Sequence, residues 1–138
     1  MPRSVLRVVA VLSALALATS CNPTLPTTPT TPIPLTETFT AVLTTNGVVI
    51  FPFNEATAGT VTAELTTISP DSGLTLAIDL GTWNGANCTI VVTTNPAVQG
   101  AQVTAQANAA GSLCAVVADA NSVVPSYTEN VTVTVMHF

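Results

Sequence analysis

The sequence predicts an all-β protein: a single antiparallel β-sandwich of jelly-roll-like type with about eight strands, standing after a signal peptide and a Pro/Thr linker. Three observations carry this expectation. From Glu37 onward, short runs alternate apolar residues with Thr and other polar residues, and a period of two gives each strand one buried face. Glycines and the Asn84-Gly85 pair cut those runs at the spacing expected of a sandwich or barrel. Outside the first twenty residues no segment repeats its apolar residues with a helical period.

The chain opens with Arg3 and Arg7, continues with an almost wholly apolar run over residues 5–17, and then places Ala18-Thr19-Ser20 before Cys21. That order of charge, apolar core and small residues is a signal-peptide layout, expected over residues 1–20. The run is shorter than the roughly 20 residues a membrane-spanning helix needs. Leu17-Ala18-Thr19-Ser20-Cys21 resembles the bacterial lipobox, with the leucine one step earlier than in that motif. The resemblance implies that Cys21 receives diacylglycerol and becomes the new N-terminus. Asn22, where Asp would imply retention at the inner membrane, implies the outer membrane. The competing reading is an ordinary secretory leader that leaves Cys21 free or paired and the protein secreted.

Residues 21–36 then form the lipidated cysteine and its tether. In NPTLPTTPTTPIPLT, over residues 22–36, recurrent proline fixes φ and removes donors, so neither a helix nor a central strand can form. An extended chain of that length at about 3.1 Å per residue reaches roughly 45 Å.

Residues 37–138 supply the sandwich. In chain order the expected inward faces are Phe39, Ala41 and Leu43; Val49, Phe51 and Phe53; Val61, Ala63 and Leu65 within 60–66; and Leu74, Leu76, Ile78 and Leu80. They continue with Cys88, Ile90 and Val92; Val103, Ala105 and Ala107; Cys114 and Val116; and Val131, Val133 and Val135 within 130–135. Three cysteines leave one unpaired in an exported chain, and Cys21 sits apart in the tether, so Cys88 and Cys114 are expected to pair. Their phase with Ile90, Val92 and Val116 predicts a disulfide buried inside the sandwich. Closing that loop stabilises the fold by about 3.5 kcal/mol on the chain-entropy model.

Four successive pieces, GVVIFPFNEATAGTVTAEL, SGLTLAIDLGTWNG, AAGSLCAVVADAN and YTENVTVTV, resemble the bacterial pre-peptidase C-terminal type of β-sandwich. They match that family's opening strand pair, acidic strand, Gly-led return strand and Tyr-led closing strand. Such domains act mostly as accessory or interaction modules of exported proteins. The family's paired aspartates are reduced to Asp79, with Ala77 before it.

Charge excludes several functions. Both basic side chains lie in the leader; once they leave, the formal net charge of −5 becomes −7 and no Lys or Arg remains. A polyanion is then repelled, which rules out nucleic-acid binding, and no phosphate clamp or Schiff-base lysine is available. The sole histidine, His137, stands one residue before the end with no nucleophile or metal motif near it in sequence, so no hydrolytic triad is expected.

Asp71, Asp79 and Asp119, with Glu129, are weak calcium candidates against the plainer reading of solvated carboxylates. Trp83 ahead of the Asn84-Gly85 turn either covers the end of the core near the disulfide or displays its ring for stacking on a sugar. The expected function is that of a non-enzymatic lipoprotein of the cell envelope, an interaction or structural module displayed outside the cytoplasm, needing no cofactor. The membrane is its partner through the lipid anchor, with a protein or glycan as a further partner. The alternative is a carbohydrate-binding lipoprotein using Trp83, and a more remote one a hydrolase relying on carboxylates such as Asp71 with Asp79.

Overall fold

The computed structural model describes residues 31–123, 125 and 127–138. The expected signal peptide, Cys21 and the tether up to residue 30 lie outside the described residues. Eight strands follow: β1 (Leu35–Thr44), β2 (Val48–Glu55), β3 (Gly59–Ser69), β4 (Leu76–Trp83), β5 (Cys88–Ala97), β6 (Gln102–Ala107), β7 (Gly111–Asp119) and β8 (Thr128–His137). They form two four-stranded sheets, ordered β1-β8-β3-β6 and β2-β7-β4-β5, in which the paired strands run antiparallel. The chain changes sheet at every connection except the β4–β5 hairpin, which is the jelly-roll order.

Period two builds the interior. Val131, Val133 and Val135 of β8 face Val61, Ala63 and Leu65 of β3 within a core that Phe51, Phe53, Leu76, Ile78, Leu80 and Val117 close from the second sheet. Phe39 and Phe51 stack with ring centroids 5.5 Å apart and so join the two layers. On the outer side of the first sheet the alternate positions are largely Thr. Their hydroxyls pair across strands, Thr40 with Thr132 at 3.2 Å and Thr66 donating to Thr134 at 2.8 Å.

Two strands depart from strict alternation. In β3 the register against β8 shifts between Leu65 and Thr67, so Thr66 is an extra residue and Ile68 rather than Thr67 takes the next buried position. The strand therefore runs to Ser69, beyond the point where the sequence pattern breaks.

In β5 the register against β4 shifts between Val92, opposite Leu80, and Ile90, opposite Gly81. Val91 is the extra residue. Val92 packs against the core, whereas Ile90, expected inside, is 42% exposed. The same shift carries Cys88 to the outer side of the sheet. In β7 it is Leu113, Ala115 and Val117 that face the core, and Cys114 and Val116, expected there, are buried outside it. The disulfide forms as expected, but on the outer side of one sheet and not inside the sandwich.

Candidate functional site

Cys88 and Cys114 are joined, with Cα atoms 6.0 Å apart. They belong to β5 and β7, which β4 separates, and strands two places apart in a flat sheet lie roughly 9.5 Å from each other. The sheet therefore curls sharply at this corner, and Gly81 of β4 permits it. A Cβ on Gly81 would run into the Thr89 carbonyl oxygen and lie 3.0 Å from Cys88 Sγ. The absence of a side chain lets β5 fold over β4 and brings the two sulfurs within bonding distance.

The curled corner positions Trp83. The last residue of β4, Trp83 is paired in register with Cys88, and Thr82 pairs with Leu113, which sets Trp83 beside Ser112. Trp83 is half-buried and lies outside the core cluster. It borders a groove of about 540 Å³ whose other walls are Pro52, Phe53 and Asn54 of β2, Ser112 of β7, and Asn84 and Gly85 of the β4–β5 turn. The turn is self-supporting, because Asn84 Oδ1 accepts from the amides of Ala86 at 2.9 Å and Asn87 at 2.7 Å. Gly85 has φ of +94°, a left-handed conformation that glycine adopts without steric cost. On the opposite wall Ser112 donates its hydroxyl to Asn54 Oδ1 at 2.9 Å.

No family model matches the chain, and no curated protein matches it. Among solved structures it is similar to the crystal structure of the Yersinia pseudotuberculosis-derived mitogen. The TM-score is 0.57 and the identity 16%, over 77% of this chain and 88% of that one. At that identity the likeness is one of fold.

The carboxylates expected as calcium candidates have separate partners. Asp119, at the end of β7, accepts from the amides of Asn46 at 2.8 Å, Ser122 at 2.7 Å and Val123 at 3.1 Å, tying the β1–β2 turn to the segment after β7. Burial pushes its carboxyl upward, but the amides of Asn46, Val123, Ser122 and Asn121 outweigh that and hold it below the ordinary aspartate value. Asp71 turns its Oδ1 to the Gly73 amide at 3.0 Å, and its own amide donates to Glu129 at 3.1 Å beside a cavity that Tyr127 also lines. Among the described residues no three His, Cys, Asp or Glu side chains converge as a metal cage.

Asp79 lies in mid-β4 on the outer side of its sheet, between Val116 and Thr93, and is 8% exposed. Burial raises its carboxyl above the ordinary value, a hydrogen bond to Thr93 offsets this only in part, and Oδ1 is buried without a hydrogen-bond partner among the described residues. A folded-state carboxyl raised in this way binds its proton more tightly than in the unfolded chain. Its contribution to stability therefore falls as pH rises from the ordinary aspartate range through the raised value. Asp79→Asn should raise Tm at pH 7 and leave it unchanged near pH 3, measured by calorimetry; an equal shift at both values would show that the charge is not the cause.

The sequence reading missed one cluster. His137 continues the inward phase of Val131, Val133 and Val135 and is 1% exposed. Its Nε2 lies 3.0 Å from Glu37 Oε1. Its Nδ1 lies 3.3 Å from Oε2 of buried Glu55, an ion-pair distance without the alignment of a hydrogen bond. Glu55 also accepts the Phe138 amide at 3.1 Å. The extended period of β8 was the available signal for the histidine.

Proposed function

We propose that the chain is a non-enzymatic binding module displayed outside the cytoplasm of a bacterial cell on a lipid anchor at Cys21. The single observation that carries the extracytoplasmic placement is the Cys88–Cys114 bond, since disulfides form and persist mainly in oxidising compartments. The leader sequence and the small residues before Cys21 agree with it. Binding rather than catalysis is favoured by what the polar side chains already do. His137 Nε2 pairs with Glu37, Glu55 accepts the Phe138 amide, Asp119 holds three loop amides, and Glu129 holds the Asp71 amide. Groups committed in this way contribute to architecture.

Metabolic labelling in a bacterial host tests the anchor. Radiolabelled palmitate is expected on the wild-type protein and absent from Cys21→Ala, and the variant is expected to leave the membrane fraction. A wild-type chain that takes up no label would overturn the anchor.

A further inference from the structure

We propose that the groove beside Trp83 binds a neutral saccharide, a reading that names the ligand class for the binding module proposed above and rests on it. The groove, about 540 Å³, falls in the size range of small-molecule sites, roughly 300–1,000 Å³. Its chemistry is specific. Trp83 supplies an aromatic face on which the C–H face of a pyranose ring stacks.

Around that face the amide oxygens are already occupied. Asn54 Oδ1 takes the Ser112 hydroxyl proton and Asn84 Oδ1 takes two turn amides. Each asparagine therefore keeps its NH₂ as a donor without a partner among the described residues, and Ser112 Oγ keeps acceptor capacity. A rigid aromatic ring flanked by amide donors and a hydroxyl acceptor matches a ligand that carries many hydroxyls and one apolar face.

Neutrality follows from charge. The seven residues that line the groove include no charged side chain, and beyond Arg7 the chain has no Lys or Arg to pair with a carboxylate or sulfate. The carboxylates elsewhere repel an anionic sugar. Access and preorganisation are both present. An added Cβ on Gly85 would meet nothing within 4 Å, so the turn side is open, while the disulfide fixes the strand paired with Trp83. A site held before the ligand arrives loses less conformational freedom on binding.

Because Trp83 is the only tryptophan in the chain, its emission reports on this groove alone. The full-length protein is titrated with neutral oligosaccharides (glucan, mannan and chitin fragments) and with an oligogalacturonate. A saturable change in emission with at least one neutral sugar, and none with the uronate, is expected. Asn54→Asp and Asn84→Asp keep the oxygen acceptors that support the walls and remove the donors, so each should weaken binding at least about 10-fold with Tm unchanged. Trp83→Ala should abolish retention on a column of the same sugar.

The proposal is overturned if no neutral sugar changes the emission, if the uronate binds equally, or if both Asp variants bind as wild type. If the sugars fail while a cross-linker placed at Gly85 captures one defined envelope protein, the saccharide is wrong and the binding-module reading survives. Failure of palmitate labelling would strike the anchor and leave this groove untouched.

Discussion

His137→Ala should lower the unfolding free energy by about 2–5 kcal/mol, the range for truncating a large buried side chain. The imidazole is enclosed at the β8 end of the sandwich, with its two nitrogens facing Glu37 and Glu55 and its ring 5.0 Å from that of Phe53. Without it, buried Glu55 keeps the Phe138 amide and loses the imidazole nitrogen that faces it, and a cavity opens beside Phe53. The loss comes from the emptied volume and from leaving a buried carboxyl without the group that faced it, so the double variant His137→Ala, Glu55→Gln should recover part of it. Urea denaturation of the two variants measures the difference. A single variant less than 1 kcal/mol below wild type would show that the cluster contributes little.

The disulfide gives the second large effect. Cys88→Ala combined with Cys114→Ala should cost about 3.5 kcal/mol from a sequence separation of 26, or a fall in Tm of roughly 15–25 °C in a domain of this size. The bond also holds a corner that the sheet would otherwise relax, because β5 folds over β4 at Gly81. Circular dichroism on heating, with and without reductant, reads the effect. If Tm falls by less than 5 °C, the corner is held by packing alone.

The sandwich was legible because alternation is a local property. The Val131, Val133, Val135 and Val61, Ala63, Leu65 rows can be read from neighbouring residues, and they occupy the core. What could not be read depended on single extra residues. The bulge at Val91 reverses the inward phase of β5, so a pattern that joins Cys88, Ile90 and Val92 on one face is broken by backbone pairing that periodicity does not encode. Cys114 and Val116 are buried on the outer side of their sheet, and apolar character alone does not say which side of a strand is covered.

For the site, Trp83 was found through the adjacent Asn84-Gly85 turn, a signal within three residues. Asn54 and Ser112 were not, since they meet only through β2–β7 pairing, 58 residues apart. Glu37 and His137 meet across 100 residues for the same reason.

The pairing of β1 with β8 has a consequence for synthesis. Among the described strands, β1 has β8 as its sole hydrogen-bonded neighbour, and β8 follows the other seven in the chain. As the polypeptide emerges from the ribosome, the first layer lacks one of its two inner strands until residues 128–137 arrive, and β1 has no strand to pair with. Closure of the sandwich therefore waits for residues 128–137 and runs on the millisecond-to-second scale of topologies dominated by distant partners.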